Sequence, residues 1–556
     1  MKTTNTSSAL AGLRPSVIIV GGGPTGLATA LELGLRSISC LLIEREARGG
    51  HAPRAKTTHV RTRELLRRWN LADALAQASP FGIDYPTNVH FVTRLNGYPL
   101  ARFDNAMNGA PQRDERYSEH GQWIPQYKLE SVLRERLLAV DCVTVANGCE
   151  FVSFEQDDMA VQVTVKAVDT GEEHVIEADY LVGADGARST VRDAIGAQME
   201  GRYGLSRNYN IIFSAPGLAD AHRHGPGIMY WQVNPDVPSV IGPMDQGDLW
   251  FFMPLGLPPE KMFTDQEALD LIKRSTGIDL PYQILSSDLW VASRLLADKY
   301  REGRVFLAGD ACHLHPPYGG FGMNMGVADG VDLGWKIAAA LQGWGGPALL
   351  DSYEAERRLI HEIVLDEAEG NHSTQPGTLF RNGIETEGAE GEAIRREVSD
   401  LIAQTKPREF YTLGIVLGLR YRRSPVIPDD GTEADWRLSL DYTPSAAPGS
   451  LAPHAWLADG SSLYDHFGAG FTLLAFGGVD TREAEVDAGK SGIPLKVVTI
   501  DESKVAALYE QRLVLIRPDQ HVAWRGDIWP ANDVLAYVAG LSSLSEDTAA
   551  TKVSAE

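Results

Sequence analysis

Residues 309–326 read GDACHLHPPYGGFGMNMG, and this stretch decides the fold. It follows an apolar run at 305–308, which is typical of a buried strand, and precedes residues 327–341, whose apolar side chains recur at helical spacing. A strand, a loop rich in Pro and Gly and a helix, in that order, aim backbone N–H groups and the positive helix end at one place. The stretch therefore predicts an anion site, with an ordinary Pro/Gly loop as the alternative.

The start of the chain carries a second loop of this kind. Residues 16–20 predict a buried strand, residues 21–26 read GGGPTG, a helix runs to about Leu35, and residues 39–43 predict a second strand that ends at Glu44. The glycines stand where a tight turn and a close pyrophosphate allow no side chain, and the acid stands where a ribose hydroxyl needs an acceptor. This βαβ unit predicts a dinucleotide site. It does not by itself choose between FAD and NAD.

A third motif lies between these two. Residues 180–192 read YLVGADGARSTVR, so Asp185 follows a predicted strand and precedes a predicted helix start. A carboxylate at this place accepts hydrogen bonds from backbone N–H groups. Helix capping is therefore the alternative to a role in cofactor binding.

Composition limits the classes of function. The chain has 556 residues, of which 44% are hydrophobic and 22% charged, so we expect two or three globular domains. A formal net charge of −23 argues against nucleic acid and anionic membranes as partners. The four cysteines show no metal-ligand or redox spacing, so we expect a reducing compartment, by default the cytoplasm, and no metal site. Neither an export signal nor a membrane span is evident.

The three motifs together resemble those of the single-component FAD-dependent aromatic hydroxylases, the group that includes phenol hydroxylase and para-hydroxybenzoate hydroxylase. The resemblance implies an α/β fold: a Rossmann-like FAD-binding domain, an inserted antiparallel β-sheet substrate domain and a C-terminal thioredoxin-like domain. We place the FAD-binding domain at 1–95, 120–200 and 285–380, and the substrate domain at 96–119 and 201–284. A helical connection at 381–445 and the thioredoxin-like domain at 446–556 complete the chain.

The resemblance also assigns cofactor contacts. In that family the aspartate matching Asp310 meets the ribityl chain, as does a glutamine that we match to Gln126. The amides matching Met323 and Asn324 meet the isoalloxazine O2, while Arg54 matches an arginine near the pyrophosphate. The cofactor-binding residues expected on this basis are Gly21, Gly23, Pro24, Thr25, Gly26, Glu44, Arg45, Arg54, Gln126, Asp185, Asp310, Gly322, Met323 and Asn324.

The substrate side is less well defined by sequence. Lys56 stands where relatives place a residue that faces the substrate ring, and a desolvated lysine holds a phenolate or acts as a base. A solvated surface lysine is the alternative. Aromatic-rich strands between the motifs predict the substrate sheet, although aromatic strand residues are also ordinary core. The catalytic candidates are Lys56, Tyr230, Trp231 and Pro317, with Gln232, Phe252 and Tyr318 as further pocket candidates.

The C-terminal segment has strands that alternate with helices after a Pro/Gly break at 446–449. It resembles the thioredoxin-like domain of the phenol-hydroxylase branch. All four cysteines lie upstream of it, so it performs no dithiol exchange, and a structural or dimerising role is expected. We therefore expect a homodimer.

The resemblance implies a monooxygenase that holds FAD tightly and hydroxylates a small phenolic or related aromatic substrate. NAD(P)H reduces the flavin and leaves, which accounts for the lack of a second glycine fingerprint, and O2 then forms a flavin C4a-hydroperoxide. Three alternatives stay open. They are a tailoring oxygenase of a polycyclic or antibiotic substrate, a flavin halogenase, whose Trp-x-Trp-x-Ile-Pro motif is not evident, and a flavin-binding scaffold without turnover.

Overall fold

The computed structural model describes residues 10, 12–46, 55–256, 263–374, 376–530 and 533–543. Arg54, one of the predicted cofactor contacts, lies outside these residues. Within them no helix combines the length and the apolar character that crossing a membrane requires.

A six-stranded sheet organises the first part of the fold. Its central strand, Val17–Val20, is buried on both faces and pairs in parallel with Tyr180–Gly183 on one side and Cys40–Glu44 on the other. Burial on both faces explains why these strands are continuous apolar runs. Only the edge strand Arg301–Glu302 is antiparallel. In sheet order the strands are Arg301–Glu302, Val305–Leu307, Tyr180–Gly183, Val17–Val20, Cys40–Glu44 and Val143–Asn147.

A smaller antiparallel sheet shares the core of this unit. Buried and more exposed residues alternate along its strand Val161–Ala167. The buried side chains of Val161, Val163 and Val165 pack in the same apolar cluster as the central parallel strands. The three strands of this sheet, in order, are Glu173–Ala178, Val161–Ala167 and Cys149–Gln156. A two-stranded pairing of Thr57–Thr58 with Gln122–Trp123 lies outside both sheets.

An eight-stranded sheet is the second unit. It is antiparallel except that Met229–Gln232 pairs in parallel with Val89–Val92. Because successive side chains alternate between faces, Trp231 and Phe251 enter one apolar cluster while Tyr230 and Phe252 enter the cluster on the opposite face. In sheet order the strands are His313–Leu314, Gln283–Ala297, Met199–Ser214, Leu249–Pro254, Ser239–Pro243, Met229–Gln232, Val89–Val92 and Pro99–Phe103.

A four-stranded sheet forms the C-terminal unit. Phe471–Phe476 pairs in parallel with Leu495–Ile500 across a helix and then antiparallel with Leu513–Ile516, which pairs with Val522–Gly526. This βαβ unit followed by a hairpin, together with the two larger sheets, confirms the predicted fold class. The residue boundaries of the domains stay predictions.

Helices cover the sheets and connect them. The helices of the part before the C-terminal unit are Pro24–Gly34, Val60–Arg68, Ala72–Gln77, Gln126–Leu137, Thr190–Ala194, Leu218–Ala221, Asp265–Thr276, Phe321–Leu341, Pro347–His372, Pro376–Leu379, Gly388–Thr405, Pro407–Phe410 and Leu413–Gly418. The C-terminal unit adds Arg482–Ser491, Ser503–Tyr509 and Val534–Val538. Short 3₁₀ turns occur at Ala106–Asn108, Gly309–Ala311 and Leu463–His466.

Candidate active site

The two glycine-rich loops lie against each other. Helices Pro24–Gly34 and Phe321–Leu341 start side by side, and glycines of the second helix make the close approach possible. A Cβ at Gly326 would lie 2.3 Å from Thr25 Oγ1, and a Cβ at Gly309, whose φ is +65°, would lie 2.4 Å from the same atom. Only glycine fits at these two positions. Residues far apart in the sequence are thereby fixed as one site.

Both helix starts are suited to an anion or to a flavin edge. Their N-cap residues are Gly23 and Gly320, neither start has a side-chain cap, and neither first turn contains an acidic residue. The N–H groups of a first helical turn have no intrahelical acceptor and carry the positive end of the helix dipole. A Cβ at Gly23 would meet nothing within 4 Å, so there is room beside the first loop. These features fit an FAD that spans the two loops.

Glu44 lies beside the first loop, as the dinucleotide pattern predicts. Its carboxylate accepts hydrogen bonds from the backbone N–H of Gly22 at 2.7 Å and of Glu46 at 2.9 Å. The guanidinium of Arg134, which the sequence analysis did not single out, donates to the Gly22 carbonyl. The exposed Arg45 is directed toward Glu150, with 3.8 Å between the charged atoms.

Asp185 and Asp310 occupy the ends of parallel strands. Asp185 accepts from the Ser189 hydroxyl at 2.5 Å and from the backbone N–H groups of Thr190 at 2.7 Å and Val191 at 3.2 Å. The carboxylate thus supports the start of the next helix, which was the alternative reading of this motif. Asp310 lies half-buried in the 3₁₀ turn that follows Val305–Leu307.

Asn324 connects the second loop to the segment that contains Lys56. Its side-chain amide donates to the carbonyls of Thr57 at 3.0 Å and Gly320 at 2.7 Å. Its oxygen accepts from the His59 N–H at 2.9 Å and from the Thr62 hydroxyl at 2.7 Å. Three of these four hydrogen bonds hold residues 57–62 against the start of Phe321–Leu341.

Gln126 holds the same segment from the other side. Its backbone N–H donates to the Ala55 carbonyl at 2.9 Å, and its side-chain oxygen accepts from the Ala55 N–H at 3.3 Å. The structure therefore brings Gln126, Asn324 and the 55–59 segment together. Gly322 and Met323, at the exposed side of the helix start, are half-buried.

Lys56 is buried rather than solvated. Its side chain enters the aromatic face of the eight-stranded sheet, where Nζ lies 4.4 Å from the centroid of the Phe251 ring. Burial lowers the pKa of Lys56 to about 8. Among the described residues no carboxylate pairs with it. A desolvated amine in an aromatic environment suits a phenol or a phenolate.

The other substrate candidates divide between the two faces of the sheet. Trp231 and Tyr318 lie on the face that contains Lys56, with 6.1 Å between their ring centroids. Tyr230 and Phe252 point to the opposite face. There the Tyr230 hydroxyl donates to the Gly225 carbonyl at 2.6 Å.

Gln232 and Pro317 lie outside this aromatic cluster. The Gln232 amide donates to two serine hydroxyls, those of Ser239 and Ser275. Half-buried Pro317 precedes Tyr318 in the loop, and its carbonyl accepts from the Gly320 N–H at 3.1 Å. Of the catalytic candidates, the aromatic face thus brings together Lys56 and Trp231.

A buried ion pair that the sequence patterns did not predict lies on this face. Lys406 Nζ lies 2.7 Å from a carboxylate oxygen of Glu409, and both side chains are within 4% of full burial. They belong to the connection after Gly388–Thr405, where the sequence shows only a helical pattern rich in charge. The sequence signal for this ion pair is a lysine and a glutamate three residues apart beside a proline. Such a pattern more often marks a solvated helix end.

Comparisons with known proteins agree with this geometry. A family model described as an FAD binding domain matches residues 14–368, and one described as an aromatic-ring hydroxylase C-terminal domain matches residues 445–540. The chain is 32% identical to a 4-methyl-5-nitrocatechol 5-monooxygenase of a Burkholderia species, covering 92% of this chain and 93% of the relative. It is also 32% identical to aklavinone 12-hydroxylase RdmE of Streptomyces purpurascens, and this match covers 92% of this chain and 95% of the relative.

Solved structures give the same result. The structure of the rebeccamycin biosynthetic enzyme RebC with reduced flavin superposes with a TM-score of 0.88. The two chains are 34% identical, and the match covers 95% of this chain and 99% of that chain. The likeness therefore extends over the FAD-binding, sheet and C-terminal units together.

Proposed function

The chain belongs to the FAD-dependent aromatic-ring hydroxylases, and from this premise we propose that it uses NAD(P)H and O2 to hydroxylate a phenolic or related aromatic compound. The observation that carries the proposal is Lys56, a buried amine without a carboxylate partner among the described residues. Thr57 and Asn324 connect it to the helix start that would hold the flavin edge. When bound, FAD supplies the redox chemistry with NAD(P)H and O2.

The chain's own residues position the reactants. The uncapped N–H groups at Phe321–Leu341 would stabilise negative charge on the flavin edge, and those at Pro24–Gly34 would hold the diphosphate. Lys56 would take the proton of a substrate O–H on Nζ, or hold the phenolate through its charge, which makes the ring a better nucleophile. The apolar face that contains Phe251 and Trp231 would exclude water.

The substrate's size is a separate part of the proposal. The names of the relatives include both a nitrocatechol and aklavinone, so they support a single-ring phenol and a larger tailoring substrate alike. A homodimer and a cytoplasmic location complete the proposal. Four free cysteines support a reducing compartment, and sedimentation of the purified protein tests the dimer.

The test is NAD(P)H oxidation by flavin-loaded protein with a panel of single-ring and multi-ring phenols, followed by product identification. We expect at least one phenol to accelerate oxidation and to appear hydroxylated. Lys56→Met should lower hydroxylation about 100-fold while flavin reduction is retained. Lys273→Met is the matched control, because that lysine is solvent-exposed and pairs with Asp279. Oxidation that no aromatic compound accelerates would contradict the proposal.

A further inference from the structure

Lys406 and Glu409 form a charged pair inside an aromatic cluster. Lys406 Nζ lies 4.3 Å from the Trp231 ring and 5.9 Å from the Tyr318 ring. The ring of Phe410 packs on Trp231 with 6.1 Å between centroids. Desolvating such a pair costs about as much as its attraction returns, so a pair of this kind is weak evidence for stability. The position of the pair on the aromatic face therefore needs an explanation other than stability.

Two polar atoms beside the pair have no hydrogen-bond partner in the described structure. They are Trp231 Nε1 and the Tyr318 hydroxyl, and their residues are only 2% and 5% exposed. A buried polar group without a partner costs about 1–3 kcal/mol, and such groups are rare in native proteins. Both atoms are donors, and Lys406 adds a third donor. Of these three buried donors in one aromatic cluster, Lys406 has Glu409 as its acceptor, whereas Trp231 Nε1 and the Tyr318 hydroxyl have none among the described residues.

This place is distinct from the end of the face that holds Lys56. Phe251, under Lys56, and Trp231, under Lys406, belong to strands Leu249–Pro254 and Met229–Gln232, with one strand between them. Two interstrand spacings amount to roughly 10 Å. The ring of an unsubstituted phenol is shorter than this spacing, whereas two fused or linked rings span most of it.

We propose that Lys406, with Glu409 as its counter-ion, Trp231 Nε1 and the Tyr318 hydroxyl bind an acceptor oxygen at the far end of the substrate. The acceptor is a carboxylate or a carbonyl, and the substrate is an aromatic compound of two or more rings whose reacting phenol meets Lys56. The inference rests on the proposed function and narrows its substrate class. Residues of the helical connection thereby determine specificity.

The test compares two probes that differ by one acceptor group. Binding of 6-hydroxy-2-naphthoate and of 2-naphthol to the flavin-loaded protein is measured by calorimetry. We expect the naphthoate to bind at least tenfold more tightly, and Tyr318→Phe and Trp231→Phe each to reduce this ratio about fivefold to tenfold. Tyr318→Phe removes a hydroxyl without a partner, so the fold should not be weakened. A change in the ratio therefore reports recognition rather than structure.

Matched controls are available on the same chain. Tyr442 and Trp250 also have buried polar atoms without partners, but they lie in other apolar clusters. Tyr442→Phe and Trp250→Phe should leave the ratio unchanged. The double variant Lys406→Met/Glu409→Leu replaces the ion pair by apolar groups, which proteins tolerate, and should bring the ratio close to one.

The outcomes separate the inference from the proposed function. Equal binding of the two probes to the wild-type protein, or a ratio unchanged in Tyr318→Phe, Trp231→Phe and the double variant, would overturn the inference alone. Phenols would then still be hydroxylated. Failure of every aromatic compound to bind or to be hydroxylated would contradict both. A ratio that falls in the two control variants as much as in the test variants would show a structural effect and would also overturn the inference.

Discussion

Buried polar groups on the two sides of the 309–320 loop differ in whether they have hydrogen-bond or ion-pair partners. Behind the loop, the Asp329 carboxylate accepts from the Gly309 N–H at 3.0 Å and is bonded to His313 at 2.7 Å and Arg357 at 2.8 Å. In front of it, Trp231 Nε1 and the Tyr318 hydroxyl have no hydrogen-bond partner, and no carboxylate pairs with the buried Lys56, among the described residues. Since an unpaired buried polar group is costly, the compensated side fixes the backbone and the uncompensated side is the one that fits a ligand.

A second compensated cluster joins the C-terminal unit to the rest. The guanidinium of Arg517 is fully buried and pairs with Glu356 at 2.7 Å, Asp332 at 3.1 Å and Asp519 at 2.7 Å. Lys336 pairs with Glu356 at 2.7 Å and with Asp332 at 2.9 Å. Lys336 and Lys56 are both buried lysines, but Lys336 has two carboxylate partners and Lys56 has none among the described residues. The role proposed for Lys56 in substrate binding requires this difference.

The largest effect is expected at this junction. Arg517→Met leaves Lys336 as the one remaining cation, among the described residues, that pairs with Glu356 and Asp332, and it removes the guanidinium that pairs with Asp519. The free energy of unfolding should therefore fall by about 3–5 kcal/mol. Denaturant unfolding of the full chain measures it. Arg482→Met is the control, because that arginine pairs with Asp480 on the surface and its side chain is 85% exposed; its change should stay within about 0.5 kcal/mol. Similar small changes in both variants would show that the ion pairs of Arg517 contribute little to the free energy of unfolding.

Lys56 gives the opposite prediction. Its pKa is lowered from 10.5 to about 8 by burial, so at neutral pH the charged form costs the folded protein up to roughly 3 kcal/mol. Removing the amine with Lys56→Met should therefore raise stability at pH 7 while it lowers activity.

The pH dependence has a definite sign. Between about pH 8 and 10.5 the unfolded chain binds more protons at Lys56 than the folded one, so the stability of the wild-type protein rises through this window. The advantage of Lys56→Met should then disappear as the pH rises from 8 to 10.5. Unfolding measured at several pH values, with Lys273→Met as control, tests this. A constant difference across the window would mean that Lys56 is not desolvated.

The sequence predicts the backbone of the site better than its side chains. Glycine positions and strand–loop–helix order are local, so the two loops and the place of Asp185 and Asp310 followed from spacing. Which face a strand residue occupies depends on the register of the whole sheet, and for this reason Tyr230 and Trp231 looked equivalent. Lys406 approaches Trp231 from a segment about 175 residues further along the chain, and no local pattern reports such a contact.

The smallest of the three effects concerns the close contact between the two loops. In Gly326→Ala the new Cβ would lie 2.3 Å from Thr25 Oγ1 and 3.4 Å from the Gly309 Cα. The helices must then separate, at a cost of about 1–3 kcal/mol for such overpacking, and the helix starts lose their alignment. We expect lower stability and faster loss of flavin on gel filtration. Gly370→Ala is the control, because no atom lies within 4 Å of its Cβ position in the Pro347–His372 helix; alanine there should stabilise by about 0.5–1 kcal/mol.

A double variant distinguishes close packing from a general helix effect. Thr25→Ala removes the hydroxyl that the Gly326→Ala methyl would meet first, while Gly309 stays in place. If the contact with Thr25 causes the loss, Thr25→Ala combined with Gly326→Ala should recover part of the stability, so that the two changes are not additive. If the stability losses of the two single variants add, the destabilisation by Gly326→Ala does not arise from contact with Thr25. Flavin retention should follow stability in this series, because the same contact aligns both N-termini that would hold the cofactor.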